Sequence, residues 1–413
     1  MHKERWRLPP GIEEILPPRA QVMECLRRKL LDLYAGWGYE FVIPPFVDYL
    51  DSLLTGTGRD LDPQTFKFTD QLSGRMLGAR ADMTPQVARI DAHHLCTEAP
   101  TRLCYLGTVL HARGGDFAGT RSPLQIGAEL YGHSGPESEV EILRLMRLTL
   151  ETAGIQDLYL DLGHVGIFRG LARQAGLDEH QETALFDALQ RKAVPEIESL
   201  LAIYRLPAAQ ARMMLALAML DGEDAPERAA TELAAAAPPV RAALDHLRRV
   251  ADETRRWLPD VPVHFDLAEL RGYHYKTGIV FAAFVPEWGR EIARGGRYDD
   301  IGQVFGRSRP AVGFSTDLKG LLRLGAGLNE RYGHRRRVLA PWSPDPDLQR
   351  EIERLRREGR QVITELPGQG RDARALGCRE RLERTDTGWA LIHEEPGMDT
   401  NQREVVANTR VTE

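Results

Sequence analysis

Residues 103–132 read LCYLGTVLHARGGDFAGTRSPLQIGAELYG, and the rest of the chain is best understood outward from them. Two apolar, β-prone runs, Leu103 to Ala112 and Leu124 to Gly132, flank the glycine-rich loop Gly114-Gly115-Asp116-Phe117-Ala118-Gly119. The pattern predicts an antiparallel hairpin whose loop is longer than the commonest turns. Upstream, residues 19–36 carry Val22, Leu26, Leu30 and Leu33 at helical spacing. Gly36 and Gly38 end that helix, and Tyr39 to Ile43 reads as a strand stopped by Pro44-Pro45. Met76 to Ala81 predicts another strand, and Thr84-Pro85 opens a helix to about His93, with proline where a first turn tolerates it.

Downstream, residues 137–153 predict a helix and Leu158 to Leu162 a strand. From about 165 to 257 strong helix formers dominate, which marks a helical insertion. Its alanine-dense run ends at Pro238-Pro239, read as a stop. Strands resume at Val263 to Asp266 and at Gly278 to Phe284. Gly295-Gly296-Arg297-Tyr298-Asp299 reads as a tight turn into a helix, and Ala311 to Phe314 leads into a helix through Leu324. After a polar linker, Gly325 to Arg337, the pattern is strand (338–342), helix (345–358), strand (360–365) and strand (388–393).

The bulk numbers bound the class. With 413 residues the chain is too long for one core. Its 42% hydrophobic and 28% charged residues are those of an ordinary globular protein. A formal net charge of -6 argues against a protein built mainly to grip nucleic acid. Cys25, Cys96, Cys104 and Cys378 form no C-x-x-C pair, so neither a disulfide framework nor a cysteine-rich zinc site is expected. The first residues lack a signal peptide's apolar run, and no stretch approaches the roughly 20 apolar residues that cross a bilayer. A cytoplasmic protein with no membrane attachment is the expectation.

Five segments, in order, resemble class II aminoacyl-tRNA synthetases of the histidyl type. Trp37 to Pro45 resembles motif 1, the element of the dimer interface, and Leu103 to Gly132 the motif 2 hairpin. Pro310-Ala311-Val312-Gly313-Phe314 and its helix resemble motif 3. Glu269-Leu270-Arg271-Gly272-Tyr273-His274-Tyr275-Lys276-Thr277-Gly278 resembles the histidine signature, and Gly295 to Asp299 its partner. The likeness spans about residues 8–325. It implies an α+β fold, a class II synthetase-like antiparallel sheet flanked by helices. Domain 1–325 would carry the insertion at about 165–257, and 326–413 would be a small C-terminal α/β appendage.

The resemblance also implies a histidine-binding set. Asp82 and Thr84 match an acid and a threonine between motifs 1 and 2, with Asp shortening the usual Glu. Gln125 and Glu129 match the glutamine and glutamate of the second hairpin strand, Arg271 the signature arginine and Tyr275 its first tyrosine. An amino acid needs an acceptor for its ammonium and a cation for its carboxylate, and an arginine fork suits the latter. Two positions depart: Lys276 stands for a second tyrosine and His274 for an aspartate. Each matched residue also has a plain reading. Asp82 and Thr84 could cap a helix, Gln125 and Glu129 could face solvent, and Arg271 could form a surface ion pair.

The ATP side is degraded. Amino-acid activation presses a carboxylate against a phosphate, and fixed cations must neutralise the repulsion. Counting back from Gln125, the motif 2 arginine position holds His111 and the following glutamate position Arg113, while Arg121 matches the later arginine. Gly320 occupies the motif 3 arginine position, beside Lys319, and Asp317 replaces a glycine. Two lost contacts at roughly 1.5–3 kcal/mol each imply a rate drop on the order of 10²–10⁴.

A synthetase-like core with degraded ATP motifs and no evident anticodon-reading domain resembles one family, the regulatory subunits of ATP phosphoribosyltransferase. Asp161-Leu162-Gly163-His164-Val165-Gly166 resembles the same family. What that implies is a non-catalytic partner of the short-form catalytic subunit, in a hetero-octamer, with self-dimerisation through motif 1. It would be required for the first step of histidine biosynthesis and would convey feedback inhibition by histidine, without cofactor, metal or nucleic acid. The competing readings are an active histidyl-tRNA synthetase and a sensor of uncharged tRNA. His93-His94 lacks an acid at ligand spacing, and Arg335-Arg336-Arg337 reads as a solvated linker run.

Overall fold

Thr101–Thr108 and Leu124–Tyr131 form the predicted antiparallel hairpin, in register from Thr101 opposite Tyr131 to Thr108 opposite Leu124. The computed structural model describes residues 6–56, 61–114, 120–286, 288–328, 337–368 and 376–393, so most of the hairpin loop, 115–119, lies outside it. The chain divides into two units, Met1–Leu328 and Asn329–Glu413.

In the first unit the hairpin belongs to a sheet of nine strands among the described residues. Their order is Glu40–Phe41, Thr101–Thr108, Leu124–Tyr131, Ala311–Asp317, Glu291–Arg297, Ile279–Phe284, Tyr159–His164, Val263–Asp266 and Asp221–Gly222. Neighbours are antiparallel except at Glu40–Phe41 beside Thr101–Thr108 and at Tyr159–His164 beside Val263–Asp266. The sheet is therefore mixed, with an antiparallel centre.

Strand alternation splits this centre into two faces. Phe314 packs edge-on against Tyr34 of helix Arg19–Gly36, whose hydroxyl meets Thr149 of helix Pro136–Thr152 at 3.1 Å. Ala128 lies opposite Phe314, so Ile126, Ala128 and Leu130, all buried, share that helix-covered face. Gln125, Gly127, Glu129, Gly313, Ser315 and Asp317 alternate to the other face. Across it, Glu129 pairs with Gly313 and Gly313 with Gly296. Bare backbone thus lies beside a buried carboxylate.

Several local readings need correction. The last buried position of helix Arg19–Gly36 is Tyr34, which keeps the four-residue spacing of Val22, Leu26 and Leu30, in place of Leu33. Only Glu40–Phe41 of the Tyr39–Ile43 run is strand. Pro238-Pro239 opens helix Pro238–Trp257 instead of ending one, because prolines at the first helical positions remove no intrahelical hydrogen bond. Gly295-Gly296-Arg297 completes strand Glu291–Arg297, and a 3-10 turn at Gln303–Phe305 follows where a helix was expected. The insertion is helical at Val165–Ala175, Glu179–Gln190, Val194–Ile203, Ala208–Leu217, Ala225–Glu232 and Pro238–Trp257. It also returns the short strand Asp221–Gly222 to the main sheet.

In the second unit, Arg337–Ala340 and Gln361–Thr364 run parallel, joined through helix Pro346–Arg357. Leu348, Ile352 and Leu355 of that helix bury against Val338, Ala340, Val362 and Leu382. A strand unforeseen from sequence, Glu380–Thr385, pairs with Arg337–Ala340 and with Gly388–His393. Its run ERLERT is mostly charged, and buried Glu380 is accommodated by Arg360 at 2.5 Å. Residues 335 and 336, which carry part of the basic run, lie outside the described residues. No described helix is long and apolar enough to cross a membrane.

Candidate functional site

The open face of the sheet floors a cavity of about 330 Å³, within the range of small-molecule sites. Asp82, Thr84, His111, Gln125, Arg271 and Tyr275 all line it. A recess of about 30 Å³ shares Asp82, Thr84, Tyr275 and Lys276 with the cavity and adds Glu129. Five of the six residues expected to bind histidine therefore converge on one cavity, and the sixth on its inner recess.

Glu129 is 1% exposed, which rules out the solvent-facing alternative. Its carboxyl takes hydrogen bonds from Tyr105 at 2.9 Å and Thr84 at 3.2 Å, and from the hydroxyl of Tyr298. Burial pushes its pKa up to about 8, against the lowering effect of those hydroxyls. Glycines make the arrangement possible. A Cβ at Gly313 would fall 1.4 Å from Glu129 Oε2, and one at Gly127 2.5 Å from the Tyr105 hydroxyl.

Gln125 is locked between two segments. Its Oε1 accepts from the Met83 amide at 3.0 Å, and its Nε2 donates to Asp82 Oδ1 at 2.9 Å. Met83 is the N-cap of helix Thr84–Arg89 and no side chain caps it, so the plain capping reading fails; the same Asp82 oxygen accepts the Thr84 amide in a local turn at 2.9 Å. It orients Asp82 on the wall without removing it from the cavity. His111, 9% exposed, holds the carbonyl of Ala81 through Nε2 at 2.9 Å.

The cationic side is built differently from expectation. Arg271 is half-exposed and pairs with Glu269 at 3.3 Å and with Glu291, so its ion-pair reading holds alongside its place on the wall. Gly272, at φ +73°, is where the loop turns back; a Cβ there would sit 2.8 Å from the Tyr275 ring. Lys276, a departure in the sequence motif, is buried and lines both the cavity and the recess. Its ammonium donates to the Gly295 carbonyl at 2.5 Å, and burial, aided by the Arg294 charge, lowers its pKa to about 7. Acceptors (Asp82, His111) and basic side chains (Arg271, Lys276, Arg294) thus share one cavity, with Glu129 in its recess, an arrangement of the kind a zwitterion requires.

The two positions where the resemblance expects ATP-binding arginines, His111 and Gly320, carry no cation. His111 is neutral in the ordinary range, because burial lowers its pKa. Asp317 spends its carboxylate on the amides of Leu124, Lys319 and Gly320 at 2.9, 3.1 and 3.1 Å, fixing the start of helix Leu318–Leu324. Lys319 turns to Ser122 at 3.1 Å. Arg121, which matched the sequence motif, donates to the carbonyls of His111 and Pro10 at 3.1 and 3.3 Å and covers the Phe66 ring.

Three contributors escaped the sequence reading. Phe186 and Gln190 of helix Glu179–Gln190 close part of the wall. Arg297, read only as part of a glycine signature, is a buried fastener: it meets Glu139 at 2.7 Å and Ser138 at 3.1 Å, tying its strand to helix Pro136–Thr152.

A family model described as Histidyl-tRNA synthetase matches residues 11–321, and one described as ATP phosphoribosyltransferase subunit HisZ C-terminal domain matches residues 335–392. The ATP phosphoribosyltransferase regulatory subunit of Alkalilimnicola ehrlichii is 58% identical over 385 residues, covering 93% of this chain and 96% of that protein. The chain belongs to the ATP phosphoribosyltransferase regulatory subunits. Regulatory subunits from Thioalkalivibrio sulfidiphilus (57% identity, 92% of this chain, 96% of that one) and Pseudomonas aeruginosa LESB58 (54%, 94% and 98%) agree. Among solved structures, an ATP phosphoribosyltransferase regulatory subunit/histidyl-tRNA synthetase from Bacillus halodurans matches with TM-score 0.77 and 25% identity over 90% of this chain and 95% of that one. Histidyl-tRNA synthetase from Nostoc sp. PCC 7120 shares the fold, with TM-score 0.71 at 17% identity over 98% and 100% of the two chains.

Proposed function

We propose that this regulatory subunit activates a short-form ATP phosphoribosyltransferase catalytic subunit in the cytoplasm and conveys feedback inhibition by histidine, which binds in the cavity of the first unit. The observation that carries the reading is one cavity lined by the carboxylate of Asp82 and by Arg271, Lys276 and Arg294, in a chain that holds neutral residues, His111 and Gly320, at both altered ATP positions. A pocket that keeps its amino-acid ligands but has lost the cation at both altered ATP positions would sense histidine without activating it, and the chain would have no aminoacylation of its own. Histidine would favour one arrangement of the complex over another; such couplings are usually about 1–3 kcal/mol.

Self-dimerisation through the motif 1 region is supported by its surface. Phe41, Ile43, Phe46, Val47 and Tyr49 are all exposed, beside the sheet-edge strand Glu40–Phe41. Apolar clusters of this kind mark association surfaces. Dimers joined to catalytic subunits would build the hetero-octamer.

The test is phosphoribosyl-ATP formation by a short-form catalytic subunit, with and without this protein, across a histidine titration. Activity that rises on mixing and falls with histidine is expected, with no histidine-dependent pyrophosphate exchange above background. Catalysis indifferent to this protein would sink the reading, and robust exchange would mean an active synthetase.

A further inference from the structure

Helix Glu179–Gln190 ends in a turn that ordinarily belongs to glycine. The Lys192 amide donates to the Leu189 carbonyl at 2.9 Å and the Ala193 amide to that of Ala188 at 3.0 Å, the paired bonds of a Schellman cap. Lys192 itself lies in the left-handed region, at φ +47°. Glycine adopts that conformation freely and a lysine does not, so the side chain at this position calls for a reason of its own.

The reason lies in the main sheet. The Lys192 ammonium meets Asp221 at 2.7 Å and Asp266 at 3.0 Å, which face each other on strands Asp221–Gly222 and Val263–Asp266. Close by, burial and then the charges of Asp266 and Glu269 push the Asp161 carboxyl up to about 7, and the Lys192 charge opposes them. The helix packs on Val194–Ile203, within the insertion, and Lys192 carries its end across to the sheet. Glu182, Phe186 and Gln190 follow four-residue spacing and so form one stripe on the helix. Phe186 and Gln190 line the cavity. Glu182 accepts from the Tyr273 hydroxyl at 2.5 Å, and the Phe186 and Tyr273 ring centroids are 5.3 Å apart. We propose that Lys192 is a positioning residue, a latch that ties the end of this helix to the sheet and so holds Phe186 and Gln190 against the cavity. Its effect on ligand retention rests on the cavity being the histidine site.

Lys192→Gly separates this role from a merely structural one, because it removes the ammonium while giving the turn its preferred residue. A lysine that only ends the helix predicts slower or unchanged amide exchange in residues 179–190 of the ligand-free full chain. The latch predicts exchange there faster by about three- to tenfold, the scale of two partly exposed ion pairs. L-histidine affinity should fall by about the same factor, through faster dissociation. Lys192→Arg, which keeps the charge, should restore both readouts, and Asp221→Asn should show part of the effect. Exchange in 179–190 that is unchanged or slower in the glycine variant, or equal in the glycine and arginine variants, would overturn the proposal. So would an unaltered histidine affinity in a protein whose helix exchanges faster. Wild-type protein that binds no histidine would remove the histidine-site reading instead, and the exchange of the helix would still decide for or against the latch.

Discussion

Replacing Gly313 with alanine probes the recess around Glu129 directly. The new Cβ would lie 1.4 Å from Glu129 Oε2, 2.4 Å from its Cδ and 2.7 Å from the carbonyl oxygen of Ala128. The first two contacts can be relieved by swinging the carboxyl aside, but that breaks its bonds with Thr84, Tyr105 and Tyr298. The third is to backbone and can be relieved only by moving a strand. A buried group stripped of its partner costs roughly 1–3 kcal/mol, and partial relaxation of the three hydroxyls brings the expected loss to about 2–4 kcal/mol. Urea unfolding should show this as a lower midpoint with unchanged slope, and histidine affinity should fall by at least about tenfold. Gly320→Ala is the control: its Cβ meets nothing nearer than Asp317 Oδ2 at 3.6 Å, in a helix. That change should stabilise by about 0.5–1 kcal/mol. A Gly313→Ala protein within about 0.5 kcal/mol of wild type that binds histidine normally would refute the account of the recess.

Two further changes test the frame around it. Arg297→Met leaves the wholly buried Glu139 with His246, 2.8 Å away, as its remaining ionic partner, and should lower stability in urea by about 3–5 kcal/mol; a loss below about 1 kcal/mol would contradict the fastening role. Lys276, with its folded pKa near 7 against about 10.5 when unfolded, binds fewer protons in the fold than out of it. Wild-type stability should therefore rise relative to Lys276→Met as pH climbs from about 7 to 10.5, by a few kcal/mol on the order of 2–4; parallel pH profiles for the two proteins would show that the ammonium is not desolvated.

The hairpin and the long helices were legible because alternation and four-residue spacing survive in the local sequence. The converging site residues came from motif resemblance, and burial decides against the solvent-facing alternative for Gln125 and Glu129. What holds Glu129 was hidden: Tyr105 and Tyr298 lie 24 and 169 residues away in sequence, and no local pattern links them. The Gly295-Gly296 pair misled because adjacent glycines commonly mark a turn. Here they continue a strand that must pass close to Gly313 and Lys276, where side chains would collide. Phe186 and Gln190 were lost in a segment that composition described only as helical. Strand Glu380–Thr385 was missed because its charges are matched by distant partners such as Arg360.

The glycines beneath the cavity have one more consequence. Most pockets are walled by side chains that can change rotamer to admit a larger guest. Where Gly313 and Gly296 line the recess beside Glu129, the surface between the side chains is peptide backbone, held by the sheet's own ladder. That backbone has no rotamers to exchange, so a molecule one methyl group too deep against the two glycines can be admitted only by moving a strand. Discrimination by size is then built into the sheet itself and should persist through changes to the surrounding side chains, including those that abolish the response to histidine.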